Sequence, residues 1–132
     1  MEKTLWLIRG LPGSGKTTLA FLLGDNMNSS EIIAADDFFT DIEGNYNFDQ
    51  TKLSKAHQNC KRMCKEAMNK SIPNILVHNT LSKKWEAEPY INLANKFEYN
   101  IFVIECQSDF GSIHNVPTAV IEDMRYRWEP II

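Results

Sequence analysis

Arginine is scarce in this sequence. Arg9, Arg62, Arg125 and Arg127 are the only four, and no lysine or arginine falls between Lys96 and Arg125. The net charge is −3, which argues against a surface built to coat a polyanion and leaves room only for a local basic cleft. Cysteine is also sparse. Cys60, Cys64 and Cys106 form an odd set without a paired framework, so a reducing, cytoplasmic setting is expected. No apolar run approaches the length of a membrane span, and Met1-Glu2-Lys3 leads straight into the first apolar run. Neither a membrane nor a signal peptide is expected. Repeats, low-complexity tracts and linkers are missing too. At 132 residues, 43% hydrophobic and 23% charged, the chain is expected to be one domain over 1–132 with a real core.

What is present is concentrated near the N-terminus. Residues 10–18 read Gly-Leu-Pro-Gly-Ser-Gly-Lys-Thr-Thr, the phosphate-binding loop pattern of Gly, four residues, then Gly-Lys-Thr. Thr4 to Ile8 before it is a β-rich apolar run, and Lys16 to Asp25 after it carries helix formers with Leu19, Leu22 and Leu23. Strand, loop and helix are in the required order. Gly10, Gly13 and Gly15 let successive N–H groups point into one concavity at a helix N-terminus, where the dipole favours phosphate. Leu11, Pro12, Ser14 and Thr18 complete that nucleotide-binding loop. Lys16 supplies a point charge to the outer phosphates, and the Thr17 hydroxyl is placed to ligate Mg²⁺. ATP and Mg²⁺ are therefore the expected ligands.

The rest of the chain alternates strands and helices. Glu31 to Ala35 reads as a strand ending in Asp36-Asp37, Phe38 to Thr40 as a helical turn, and Glu43 to Asn47 as a surface loop. Asp49 caps a helix running to about Lys70, with Leu53, His57, Cys60, Cys64 and Ala67 on one face. His57, Cys60 and Cys64 have the spacing of metal ligands, but no fourth ligand is near and they continue an apolar stripe, so burial is favoured. Ile75 to Val77 is a strand ending at His78-Asn79-Thr80. Ser82 caps a helix from Lys83 to Phe97 that Pro89 kinks or splits. Ile101 to Glu105 is a strand, Gln107 to Val116 is irregular, and Pro117 starts a helix over Thr118 to Trp128. The pattern predicts an α/β fold of three layers, a short parallel sheet of about four to five strands flanked by helices. Ligands in such sheets sit at the strand carboxyl ends, so the polar strand tips should converge on one cleft.

Several of these segments form a longer pattern. Ala35-Asp36-Asp37-Phe38-Phe39, Tyr46-Asn47-Phe48, Ala56-His57-Gln58-Asn59-Cys60, Val77-His78-Asn79-Thr80, Trp85-Glu86, Pro89-Tyr90, His114-Asn115-Val116-Pro117 and Arg127-Trp128-Glu129 follow the glycine loop in order. The chain thereby resembles the P-loop kinases of the bacteriophage-type polynucleotide 5′-kinase family. Within it the match is to the branch holding the kinase-like domain of animal ubiquitin-ligase-binding proteins. The resemblance implies a P-loop kinase fold and transfer of the ATP γ-phosphate to a hydroxyl, the 5′-OH of a nucleic acid end first among acceptors. By resemblance Asp36 takes the proton of the attacking hydroxyl, Lys16 and Asp36 being the catalytic pair. The alternative is that both Asp36 and Asp37 cap the following turn. Asp37, His57 and Asn79 match positions near the acceptor or phosphates, although His57 is equally readable as a core histidine. His78 stands where this branch often has aspartate. Arg127 either faces the nucleotide or pairs with Glu129 or Glu122.

Two departures stand against efficient catalysis. The family usually has Arg-Asn before its His-Gly-Val-Pro motif, where this chain has Gly111-Ser112, and Asn115 replaces the glycine. Phe39 also stands where phage-type enzymes have arginine. A missing arginine of this kind costs about 10³–10⁵ in rate where it is the main stabiliser. A kinase of a small molecule or nucleotide, and an ATP-binding regulatory protein with a degenerate lid, are the alternative readings. Asp109-Phe110-Gly111 matches a protein-kinase magnesium triplet without the other signatures of that family.

Overall fold

The computed structural model describes residues 2–110 and 116–131. Its sheet has two strands buried on both faces at its centre and two that are more exposed at its edges. Thr4–Gly10 (β1), Ser30–Ile33 (β2), Asn74–Asn79 (β3) and Asn100–Cys106 (β4) pair in the order β2-β3-β1-β4, every pair parallel. Parallel neighbours need long crossovers, and the helices supply them. These are Lys16–Asp25 (α1), Leu53–Asn69 (α2) and Lys84–Lys96 (α3), and Thr118–Tyr126 (α4) follows the last strand. The three-layer α/β architecture expected from the alternation is borne out.

The two sheet faces are filled unequally. Leu5, Leu7, Ile33, Ile75 and Val77 pack with Cys60, Cys64, Ala67 and Met68 of α2 and with Ala87, Tyr90 and Ala94 of α3. On the other face Ile8 and Leu76 meet Ala20 of α1, with Trp6, Leu19 and Leu23 half-buried around them. Cys60 and Cys64 are fully buried, and burial pushes the Cys64 thiol up to about 12. Leu53 and Leu22 are exposed, so each helix presents a narrower apolar face than its sequence indicates. Gly24 is where α1 touches the sheet: a Cβ there would lie 2.6 Å from Ile32 Cδ1.

The boundaries moved for local reasons. β2 stops at Ile33 and the chain enters a 3₁₀ turn over Ala35–Phe39. The Asp37 carboxylate accepts from Ala34 N–H at 2.9 Å, and Asn79 Oδ1 accepts from Ala35 N–H at 2.8 Å. These two bonds take the backbone out of the sheet. Asp49 caps a short 3₁₀ turn, Gln50–Lys52, ahead of α2, accepting from Thr51 N–H at 3.0 Å. At α3 the cap lies one residue later than Ser82. Glu86 accepts from Lys83 N–H at 3.0 Å and from the Ser82 hydroxyl at 3.1 Å. Pro89 sits inside α3 without splitting it, because burial of Ala87, Tyr90 and Ala94 outweighs one lost hydrogen bond.

Candidate active site

The loop between β1 and α1 is shaped by its glycines. Gly13 and Gly15 have φ of +83° and +89°, a region that other L residues avoid. Gly15 is the left-handed N-cap of α1, which leaves the first-turn N–H groups facing the loop. Gly10 is constrained by space instead. A Cβ there would collide with Ser14 Oγ and lie 3.0 Å from the Cys106 carbonyl oxygen. Ser14 Oγ is itself buried without a hydrogen-bond partner among the described residues. A buried hydroxyl, free helix N–H groups and a nearby ammonium are the donors a phosphate chain requires. The residues present fit the triphosphate. Gly10→Ala is expected to weaken nucleotide binding roughly tenfold or more, overpacking costing about 1–3 kcal/mol. Titration with a fluorescent ATP analogue reads this directly, and wild-type affinity in the variant would contradict the fit.

The strand tips bring their polar groups to this loop. Burial lowers the Lys16 ammonium, while Asp36 and Cys106 act in the opposite direction. Asp36 is exposed in the 3₁₀ turn after β2 and accepts from Tyr46 Oη at 3.5 Å. Burial, then the Asp36 charge and that bond, push the Tyr46 phenol up to about 12. His78 at the tip of β3 is 7% exposed, and its Nδ1 lies 3.2 Å from Thr17 Oγ1. Burial holds this imidazole down at about 4, Lys16 acting the same way and Asp36 against it. His57 on α2 is half-buried and also lowered by burial, with Glu86 and Asp36 opposing and Lys61 assisting. Asp36 thus lies within electrostatic reach of Lys16, Tyr46, His57 and His78.

Two expected site residues are engaged with the turn after β2 itself. Asn79 is buried, and beyond its bond to Ala35 its amide nitrogen donates to Cys60 Sγ and Tyr90 Oη, both at 3.5 Å. It fixes the segment that carries Asp36. Asp37 is tied to Ala34 N–H, and burial raises it while that bond lowers it. Arg127 pairs with Asp123 at 2.8 Å, one turn back on α4, rather than with Glu129 or Glu122. Thr18 is exposed beside Thr17. The departures at Gly111-Ser112 and His114-Asn115 lie outside the described residues.

A cleft of about 700 Å³ adjoins the loop, with Leu11, Ser14, Gln107, Pro117, Arg125 and Trp128 among its walls. Arg125, not Arg127, is the arginine on it. The Phe110 N–H donates to the Gly13 carbonyl at 2.7 Å, and its ring packs beside Gly15. His78 and the segment holding Phe110 lie among the strand ends expected to converge on this cleft, while the sequence assigns Tyr46 no site role. Their one signal is position, at a strand tip or in an adjacent connection.

For Mg²⁺ the donor set is hard and incomplete. The Thr17 hydroxyl and Asp36 carboxylate are oxygen donors of the right kind. Among the described residues no group of three or more His, Cys, Asp or Glu could hold a metal alone. A magnesium ion here requires phosphate oxygens and water to complete its shell.

The two histidines lowered by burial carry a stability consequence. Each charges less readily in the folded chain than in the unfolded chain, where it titrates near pH 6.5, so the unfolded state binds more protons around and below that pH. Stability is expected to fall as the pH drops through 6.5, the His78 share continuing to about 4. That share is roughly 3 kcal/mol at about 1.4 kcal/mol per pKa unit. Urea midpoints measured across this range should show a flatter fall for His78→Asn, and an identical slope would contradict the assignment.

Known proteins share this arrangement. An AAA domain model matches residues 5–131. NEDD4-binding protein 2 of Homo sapiens is 42% identical over 101 residues, covering 76% of this chain and 6% of its own length. Thus the chain spans a small part of that relative. Among solved structures, the Pnkp1/Rnl/Hen1 RNA repair complex aligns with a TM-score of 0.75 at 14% identity, over 96% of this chain and 44% of the other. The Mycobacterium tuberculosis APS kinase CysC in complex with AMPPNP and APS aligns at 0.57 and 14% identity, over 96% and 68%. These likenesses bear out the fold and the resemblance drawn from the motifs. With the glycine loop, the parallel sheet and the match over 5–131 in agreement, the chain belongs to the AAA domain family, as a P-loop kinase-like domain.

Proposed function

We propose that this domain is an ATP- and Mg²⁺-dependent phosphotransferase that moves the γ-phosphate to a hydroxyl, the 5′-OH of a nucleic acid end being the first acceptor class. The reading is carried by a complete phosphate loop with Lys16 at the start of α1 and Asp36 in the turn after β2, two opposite charges within electrostatic reach of each other. ATP with Mg²⁺, when bound, would supply the electrophilic phosphorus, with ADP as the leaving group. The glycine loop and Lys16 hold and orient the phosphates. Asp36 aligns the acceptor hydroxyl and takes its proton as the oxygen–phosphorus bond forms and the bond to the bridging oxygen breaks. Tyr46, Asn79 and the Ala35 N–H keep that carboxylate in place. His57 faces the same space from α2 and is the proposed acceptor contact on that side.

A small-molecule or nucleotide acceptor is the second reading. From Ala35 to Asp49 the chain carries Asp36, Asp37, Asp41, Glu43 and Asp49 and no lysine or arginine, a poor setting for an acceptor rich in phosphate. Transfer from γ-labelled ATP to 5′-OH oligonucleotides, nucleosides and small alcohols distinguishes the two. Labelled oligonucleotide whose yield falls steeply with salt supports the first, and label only on small acceptors supports the second. Saturable ATP binding with no acceptor labelled would leave the regulatory, degenerate-lid reading.

A further inference from the structure

The Thr17 hydroxyl and the His78 ring come from elements 61 residues apart, and nothing in the glycine loop itself requires their contact. We propose that His78 is a positioning residue: its Nδ1 accepts the Thr17 hydroxyl proton and so turns the oxygen lone pairs outward, toward a divalent cation on the phosphates. The inference rests on the reading of the loop as a nucleotide site.

Three observations support it. A hydroxyl has one proton and two lone pairs, and a hydroxyl that ligates a cation must point its proton away from it. Among the described residues the side-chain partner that Thr17 Oγ1 has within hydrogen-bond distance is His78 Nδ1, at 3.2 Å. Second, the ring is held in place. It is 7% exposed, at the end of a central strand with Ile8 opposite it in β1, and its edge packs against Phe21 with ring centroids 6.0 Å apart. Third, the contact is made through Nδ1, and an uncharged imidazole offers one acceptor nitrogen while it keeps its proton on the other. A neutral acceptor adds no negative charge to the site. The cation then depends on the phosphates, the Thr17 oxygen and water, in line with the lack, among the described residues, of any acidic or thiol cluster able to bind metal alone.

Two isosteric amides test the geometry. The Asn side-chain oxygen falls where Nδ1 stands, and the Gln oxygen falls near Nε2, one bond farther out. Binding of a fluorescent ATP analogue is measured with Mg²⁺ and with EDTA for wild type, His78→Asn and His78→Gln, with urea midpoints alongside. The gain in affinity on adding Mg²⁺ is expected to persist in His78→Asn and to shrink about tenfold or more in His78→Gln, the usual loss for an outer-shell partner. Affinity in EDTA should stay unchanged in both. Thr17→Val should remove the gain, and adding His78→Gln to it should cost nothing further. An undiminished gain in a folded His78→Gln, or equal losses in both amides, overturns the role of His78 alone. Wild-type protein that binds no nucleotide overturns the nucleotide site and this inference with it. Should His78→Gln fail to fold, loss of the Mg²⁺ gain in a folded His78→Asn overturns it as well.

Discussion

Asp36→Asn is expected to lower phosphoryl transfer by about 10²–10⁴-fold, the usual contribution of a positioned base, without loss of ATP affinity. The amide has the shape of the carboxylate and still accepts from Tyr46 Oη, 3.5 Å away in the native chain, so the turn over Ala35–Phe39 is kept. What disappears is the ability to take a proton. Asp36 also places a negative charge near the incoming triphosphate, so its removal should leave binding the same or tighter. The split is the diagnostic. Fallen turnover with retained nucleotide binding identifies a group that acts on the acceptor. A variant that binds ATP poorly but transfers normally when saturated would move Asp36 to nucleotide or metal binding. The same variant should lower the Tyr46 phenol, which the Asp36 charge helps to raise. That shift is readable by ultraviolet titration.

Arg9→Met is expected to destabilise the domain by roughly 3 kcal/mol, the scale for breaking a buried charge network from one side. Arg9 is 1% exposed in the middle of the sheet. Its guanidinium donates to the Leu81 carbonyl through Nε at 3.0 Å and Nη2 at 2.6 Å, to the Glu129 carbonyl at 2.7 Å and to the Glu105 carboxylate at 2.9 Å. The Trp128 ring covers it, 4.0 Å from centroid to Cζ. Leu81 is buried with φ of +48°, a conformation that persists only when its surroundings enforce it. Arg9 enforces it. Removal also takes one tie from the C-terminal segment, leaving the Glu129 N–H to Ser82 carbonyl bond at 2.8 Å and the Trp128 Nε1 to Glu105 bond at 2.8 Å to hold it. Lysine is no substitute, since it lacks the planar fork that serves three acceptors at once. The urea midpoint reads the effect. A loss below about 1 kcal/mol, the level of an exposed ion pair, would show that the network contributes little.

The two residues differ in how far they were readable from the chain. The glycine loop was legible in full because strand, loop and helix are consecutive and the spacing is local. Asp36 was expected at the cleft because its apolar run ends at the level where parallel sheets bind ligands, and the structure ends that strand at Ile33 with Asp36 in the 3₁₀ turn that follows. Arg9 was not legible. Its partners lie 72 to 120 residues away, and an arginine inside a β-run gives no sign of whether it snorkels out or is satisfied within. Asn79 shows the converse. A polar residue at a strand tip suits a ligand contact, yet its amide is used on Ala35, Cys60 and Tyr90. Arg127 followed the strongest local pairing, at i, i+4 with Asp123, over the more distant partners expected for it. The His78–Thr17 contact joins adjacent strand tips, which topology predicts as neighbours but cannot orient.

One measurement bears on the central claim most directly: ADP release by the wild-type chain with γ-labelled ATP and Mg²⁺, followed with and without a hydroxyl acceptor, beside Lys16→Met. The account predicts acceptor-dependent ADP, matched one for one by labelled acceptor, and its loss in Lys16→Met. Tight, saturable ATP binding with no acceptor-dependent ADP from any hydroxyl offered would contradict it.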